Sequence, residues 1–123
     1  MLESAILKQI MMLCSRGACR LLRNNSGAFQ DKRGQWVRYG VGNPGGSDLL
    51  GWRTVTVTEE MVGAKIAVFC AIEVKAAKGK PIPEQVQFID TVKAAGGIAG
   101  VARSPEEAAA LLNTLPVGKA HSL

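Results

Sequence analysis

The fold is decided by one stretch near the middle of the chain, Ile66-Ala67-Val68-Phe69-Cys70-Ala71-Ile72-Glu73-Val74-Lys75. Its apolar side chains are consecutive, a pattern typical of a strand that is covered on both faces. We therefore predict that residues 65–74 form the central strand of the sheet and the core of the fold. The end of this strand carries Glu73 and Lys75, and an unpaired charge there would be expensive to bury.

Further elements are predicted on both sides of this strand. Before it come a helix at residues 2–15, strands at 19–23 and 35–41, a strand at 48–52 and an extended connection or half-exposed strand at 54–58. After it come a helix at 84–95, a strand at 98–102, a helix that starts at Ser104-Pro105, and a tail at 116–123. This order predicts an α/β fold with a mixed β-sheet flanked by helices.

The size and composition of the chain fit one domain, residues 1–123. Hydrophobic residues make up 47% and charged residues 20% of the 123 positions, which excludes a disordered or collagen-like chain. No apolar run has the length of a membrane span, and the first residues lack the layout of a signal peptide. We expect a cytoplasmic protein.

The metal-binding residue types are few. Cys14, Cys19 and Cys70 are odd in number and are not closely paired, which favours reduced thiols over a disulfide or zinc scaffold. His121 is the single histidine, so histidine-metal nucleases, metalloproteases and histidine-dependent nucleophiles are excluded. The glycine-rich segment at 40–47 has neither a dinucleotide fingerprint nor a P-loop ending. Any bound metal must be held mainly by oxygen.

The net charge of +5 favours a polyanionic partner, because basic side chains release counterions from phosphates. Charge alone is a weak indication. The candidates for contacts to a DNA backbone lie on loops or strand ends, and simple solvation is the alternative for about half of them. They are Arg23, Lys32, Arg33, Arg38, Arg53, Lys78 and Lys80.

Carboxylates near the predicted central strand are the candidate metal ligands. Strand alternation places Glu73 and Lys75 on one face. If the strand that begins at Asp48 pairs beside theirs, Asp48, Glu73 and the carbonyl of Val74 can hold a hard divalent cation. Gln85 is in helical register with apolar positions that face the sheet, so its amide can bind the lysine or a water.

Each of these residues also has a plainer interpretation. Glu73 and Lys75 can be an ion pair at a strand edge, Asp48 a turn residue and Gln85 a polar residue of a first helical turn. Glu3 is more often a solvated acid at a helix start. Trp36 and Tyr39 are expected to pack beneath a hairpin, with stacking on exposed bases as the alternative.

The order of the motifs adds information that no single motif carries. The chain contains Asn24-Asn25-Ser26-Gly27, then Gly42-Asn43-Pro44-Gly45-Gly46-Ser47-Asp48-Leu49-Leu50-Gly51, then Ile72-Glu73-Val74-Lys75, then Pro83-Glu84-Gln85-Val86-Gln87-Phe88. This series closely resembles the VRR-NUC domain, the virus-type replication and repair branch of the PD-(D/E)XK nuclease superfamily. The resemblance covers nearly the whole chain.

The resemblance implies a restriction-endonuclease-like α/β core and hydrolysis of the DNA backbone with Mg²⁺ or Mn²⁺. In it, Asp48 matches the motif aspartate, Glu73 and Lys75 the E-x-K element, Gln85 the glutamine of the next helix, and Glu3 the first-helix glutamate. Ser47 departs from the pattern, since the superfamily often has proline there. The departure removes no ligand.

The chain resembles small members of this family, which are viral (phage) or bacterial proteins. The resemblance implies a homodimer that resolves branched DNA, such as four-way (Holliday) junctions, in DNA repair. A dimer is consistent with two incisions related by a two-fold axis. Two alternatives stay open. One is a monomeric nuclease or nickase for flaps or single strands, and the other is a non-catalytic DNA-binding module.

Overall fold

A computed structural model of the chain describes residues 2–114. The chain divides into two compact units, unit 1 at Met1–Val55 and unit 2 at Thr56–Leu123, which are described separately below. The tail predicted at 116–123, including His121, lies outside the described residues.

Unit 1 begins with helix α1, Glu3–Cys14, and contains two antiparallel strand pairs. Strand β1 (Cys19–Arg23) pairs with β4 (Leu49–Arg53), while β2 (Gly27–Gln30) and β3 (Trp36–Tyr39) form a hairpin. The Ser15 side chain accepts a hydrogen bond of 2.8 Å from the backbone N–H of Leu21, which ties the end of α1 to β1.

A glycine-rich loop connects β3 to β4 and turns too tightly for larger residues. Gly42 and Gly45 have φ values of 71° and 96°, a region that favours glycine. A side chain at Gly46 would overlap the carbonyl oxygen of Val41, and one at Gly51 would overlap that of Arg20. These steric limits set the path by which the chain enters β4.

Unit 2 contains a parallel strand pair with a connecting helix. A short 3-10 helix at Glu59–Met61 is followed by β5 (Cys70–Val74), α2 (Pro83–Ala94), β6 (Ile98–Ala102) and α3 (Pro105–Leu112). Strands β5 and β6 pair in parallel, with Glu73 opposite Val101. As the sequence predicts, Ser104 caps α3 by accepting a hydrogen bond of 3.1 Å from the backbone N–H of Glu107.

The core of unit 2 lies around β6 and not around β5. The buried hydrophobic side chains among the described residues are Val92, Ile98, Ala99 and Ala102. Strand β6 contacts both α2 and α3, whereas the helix that β5 contacts is α2. The prediction that residues 65–74 form the central strand is therefore wrong in two respects. Residues 65–69 are not a strand, and Ile66 there is 49% exposed.

The mixed α/β class is confirmed, but residues 2–114 form three two-stranded sheets and not a single one. The hairpin strand β2 was not predicted, because Gly27 and Ala28 are poor strand formers. Glycine at position 27 leaves room for the Tyr39 ring, since a Cβ there would lie 2.5 Å from the hydroxyl of Tyr39. In the part of the chain that the structure describes, no helix has the length and apolar character needed to cross a bilayer.

Candidate functional site

Glu73 and Lys75 form a partly buried ion pair at the end of β5. The Lys75 Nζ lies 3.3 Å from the Glu73 Oε1, and the side chains are 21% and 30% exposed, respectively. The pair is possible because residues i and i+2 of a strand project to the same face. The Lys75 backbone N–H also donates to the carbonyl of Ala102 over 3.1 Å, so the strand pairing continues to the lysine.

Gln85 reaches the same carboxylate from the first turn of α2. Its Nε2 donates to Glu73 Oε1 over 3.0 Å, and its Oε1 accepts from the backbone N–H of Ile82 over 3.0 Å. Because the amide oxygen must face the Ile82 N–H, the amide nitrogen must face Glu73. One side chain therefore completes the first turn of the helix and holds the acid.

The ion pair and the amide leave part of the Glu73 carboxylate available. Among the described residues, the contacts from Lys75 and Gln85 both fall on Oε1. A cleft of about 350 Å³ opens beside Glu73 between β5 and α2. Its lining is Ala71, Ile72, Glu73, Glu84, Gln85, Phe88 and Ile89. The second oxygen of Glu73 can therefore bind a ligand without losing either donor.

Arg103 anchors the loop that follows Lys75, a role that the sequence did not indicate. Its guanidinium donates to the carbonyls of Ala76 at 2.6 Å and Gly79 at 2.7 Å. The backbone N–H of Arg103 in turn donates to Glu107 Oε2 over 2.8 Å. The start of α3 thus fixes the segment that presents Lys78 and Lys80. The available signal was an arginine placed directly before a helix cap.

Asp48 lies in unit 1, exposed, directly before β4. Its backbone carbonyl accepts a hydrogen bond of 2.9 Å from the N–H of Asn24. The Asn24 side chain donates to the carbonyls of Val41 at 2.8 Å and Ser47 at 3.0 Å, and accepts from the Val41 N–H at 2.9 Å. Asn24 therefore closes the glycine-rich loop at both ends and positions Asp48. The Asn24-Asn25 motif was noticed in the sequence, but this role was not assigned to it.

The remaining predicted site residues are exposed. Glu3 lies in the first turn of α1 in unit 1. All seven candidate DNA contacts are exposed, with Arg23, Lys32, Arg33, Arg38 and Arg53 in unit 1 and Lys78 and Lys80 in unit 2. The structure brings Glu73, Lys75 and Gln85 together within unit 2, while Asp48 and Glu3 belong to unit 1. A centre shared by Asp48 and Glu73 stays a prediction.

The excess positive charge belongs to unit 1. Residues 1–55 contain eight basic and three acidic side chains, so they account for the whole net charge of +5, whereas residues 56–123 contain seven of each. An electrostatic attraction to a polyanion would therefore act mainly on unit 1.

The expected packing of Trp36 and Tyr39 beneath the hairpin is wrong for Trp36, which is 68% exposed. Tyr39 is 48% exposed and packs against Phe29, with ring centroids 6.3 Å apart. The difference follows from strand alternation, because Trp36 projects to the opposite face of the hairpin from Tyr39 and Phe29.

The donors at the site are oxygen atoms, as a hard divalent cation requires. Among residues 2–114 there is no group of three or more histidine, cysteine, aspartate or glutamate side chains that could hold a metal. Mg²⁺ does not need such a group, because it commonly binds one or two carboxylates and keeps several waters. Within unit 2, Glu73 with its second oxygen and the Val74 carbonyl fit this chemistry.

Residues 9–106 of the chain match the family model of the VRR-NUC domain, which is a nuclease domain. The match includes Asp48, Glu73, Lys75 and Gln85, and it ends before Glu107. Glu3 lies before the matched residues. No curated protein and no solved structure matches the chain.

Replacing Gln85 by alanine should lower the rate of DNA cleavage about 10- to 100-fold, because loss of a partner that orients a ligand has effects of this size. The measurement is the single-turnover rate on a labelled substrate. Gln87→Ala, an exposed neighbour on the same helix, should cleave at the wild-type rate. Equal rates for the two variants would show that the contact to Glu73 has no role in activity.

Replacing Asn24 by alanine should destabilise unit 1 by about 0.5–1.5 kcal/mol, because the backbone groups of Val41 and Ser47 lose exposed hydrogen bonds to its side chain. It should also slow cleavage by misplacing Asp48. Urea unfolding of the full chain and the same cleavage assay are the measurements. The matched control is Asn25→Ala, at the exposed next position. Unchanged stability and rate for Asn24→Ala would contradict the positioning role.

Proposed function

The chain belongs to the VRR-NUC domain family, whose members are nucleases that act on DNA, and from this premise we propose a metal-dependent endonuclease for branched DNA. In this proposal residues 1–123 are one nuclease domain with a restriction-endonuclease-like core. The reaction is hydrolysis of a phosphodiester bond within a strand. The substrate class is a four-way junction or a related branched structure.

The contact of Glu73 with Lys75 and Gln85 is the observation that carries the proposal. It places a cation 3.3 Å and an oriented amide 3.0 Å from the same carboxylate oxygen at a strand end. In a protein without a nucleic-acid role, such a partly buried charged cluster would be replaceable by apolar residues at little cost. In a nuclease the same groups have separate tasks.

The metal ligands in the proposal are Asp48, Glu73 and the carbonyl of Val74, with waters completing the set. Mg²⁺ or Mn²⁺ would supply charge stabilisation at the scissile phosphate and a more acidic water. Oxygen donors suit both ions, and Glu73 lines the cleft beside α2.

The protein's own side chains orient the reacting groups. The Lys75 ammonium is held by Glu73, and in this proposal it would orient the phosphate or the attacking water. Gln85 keeps the Glu73 carboxylate in one orientation, which reduces the reorganisation needed during the reaction. Glu3, from the first turn of α1, is proposed as a further acid of the centre.

The homodimer is proposed because a junction is resolved by two symmetric incisions, and each chain offers one cutting centre. The apolar positions of α1 supply a candidate surface for association. Ile6, Ile10 and Leu13 recur at helical spacing and are all exposed to solvent.

Lys75→Ala and Asp48→Asn should each abolish detectable cleavage while leaving affinity for a four-way junction within about twofold, because the exposed lysines and arginines proposed to contact the DNA backbone are unchanged in both variants. A labelled panel of junction, flap, splayed-arm and duplex DNA is incubated with Mg²⁺, Mn²⁺ or EDTA. Cleavage should require a metal and should be fastest on the junction. Lys93→Ala and Asp90→Asn, on the exposed surface of α2, are the matched controls.

Calorimetric titration with Mn²⁺ tests whether Asp48 and Glu73 share one ion. Asp48→Asn and Glu73→Gln should each remove the same binding event, and the double variant should lose no more than either single one. Independent losses would place the two acids at separate ions.

In the cleavage assay, undiminished cleavage by Lys75→Ala, or cleavage in EDTA, would refute the proposed mechanism.

Light scattering of the purified chain should give twice its mass of 13.0 kDa at micromolar concentration. A mass of 13.0 kDa together with efficient cutting of flaps would instead identify a monomeric flap nuclease. Binding of DNA without cleavage under every metal condition would identify a non-catalytic module.

A further inference from the structure

The hairpin of β2 and β3 has two faces of different character. Paired residues project to the same side, so Phe29, Val37 and Tyr39 share one face. The tyrosine packs on Phe29 there, and its hydroxyl lies over Gly27. The opposite face, which we call the tryptophan face, carries Ala28, Gln30, Trp36 and Arg38.

Trp36 is the large aromatic side chain that the tryptophan face exposes to solvent. Its cross-strand partner is Gln30, and its diagonal neighbour is the small Ala28, which together leave the indole 68% exposed. Leaving so much aromatic surface in water is unfavourable by about 25 cal/mol per Å². A large exposed aromatic ring beside a positive charge is a common feature of surfaces that bind nucleic acid.

The tip of the hairpin has a net positive charge, because Lys32 and Arg33 outnumber Asp31, whose carboxylate is bonded within the turn. The Asp31 Oδ1 accepts hydrogen bonds from the backbone N–H groups of Arg33 at 2.8 Å and Gln35 at 2.9 Å. Gly34 completes the turn with a φ of 78°. Lys32 and Arg33 are consequently held at the tip with exposed side chains, in a unit that has a net charge of +5.

Resting on the nuclease function proposed above, we infer that the tryptophan face binds DNA at a branch point, where the indole of Trp36 stacks on a base that has lost its neighbour. Lys32, Arg33 and Arg38 contact the flanking phosphates. Arg38 lies two residues from Trp36 on the same face, roughly 6 to 7 Å along the strand, so it can reach the backbone next to the stacked base. Unpaired bases are the feature that distinguishes a branch from a continuous duplex.

The basic residues around Trp36 indicate that the partner of the tryptophan face is DNA and not protein. A protein-binding aromatic patch is normally surrounded by apolar residues with depleted charge. Trp36 instead has basic residues on its own face and at the adjacent tip, and the apolar residues of the hairpin occupy the other face. The stacking adds affinity without reading sequence, since every base has a π-face.

The test measures binding in EDTA, so that it does not depend on cleavage. Two DNA probes have identical sequences, one a fully paired duplex and the other a splayed fork with 2-aminopurine at the first unpaired position. Fluorescence anisotropy gives the Kd, and 2-aminopurine emission reports stacking. Trp36→Ala should weaken fork binding roughly 5- to 150-fold, change duplex binding by less than twofold and abolish the quenching of 2-aminopurine.

Three further variants give the experiment its controls. Trp36→Phe should keep most of the fork preference, because phenylalanine also stacks. Val62→Ala, which removes a highly exposed apolar side chain in unit 2, should behave as wild type. Arg38→Ala should weaken binding to both probes and lower the salt slope by about 0.7 to 0.9, as expected for one lost phosphate contact. Circular dichroism establishes that each variant is folded.

Equal weakening of fork and duplex by Trp36→Ala would overturn the inference, as would an unchanged fork Kd. If Trp36→Ala changed the mass of the protein in light scattering but left DNA binding unaltered, the tryptophan face would be a protein contact. That result would also refute the inference. Failure of the wild-type protein to cleave any DNA would refute the proposed function alone, because the binding results are obtained without metal.

Discussion

The contact of one carboxylate oxygen with two donors is the interaction on which the site depends. Glu73 Oε1 is bound by Lys75 from its own strand and by Gln85 from α2, so the acid is fixed in direction and its charge is compensated. A partly buried carboxylate without these partners would be costly to maintain. Since Gln85 also caps the first turn of α2 through Ile82, the local fold and the orientation of the acid have the same cause.

The two units contribute different physical properties to the proposed enzyme. Unit 2 supplies a compensated charged cluster in a segment of zero net charge, while unit 1 supplies the net positive charge, an exposed aspartate and an exposed indole. In unit 1 side-chain amides hold the glycine-rich loop: Asn24 bonds Val41 and Ser47, next to Asp48, and Asn43 bonds the carbonyls of Gly27 and Tyr39. Rigid support of this kind is what the proposed role of Asp48 as a metal ligand would require.

Local patterns in the sequence predicted the elements whose signals are strong. The bounds of β1 and β6 were predicted to the residue, and the helical register of Gln85 correctly indicated that it faces the sheet. Continuous apolar sequence at 65–74 was misleading, because hydrophobicity does not say which of two strands is packed between helices. The contacts of Asn24 and Arg103 to backbone carbonyls depend on residues far along the chain, so a local pattern can mark these side chains but cannot identify their partners.

Selectivity and catalysis are separable in this arrangement. A nuclease that contacts phosphates through lysine and arginine gains affinity for any DNA, because such contacts carry no sequence information. Discrimination must then come from a structural feature that duplex DNA lacks. Unstacked bases at a branch are such a feature, and a stacking ring recognises them at little cost in generality. Trp36 meets this requirement better than Tyr39, because Tyr39 already packs on Phe29 and would have to leave that partner before it could stack on a base.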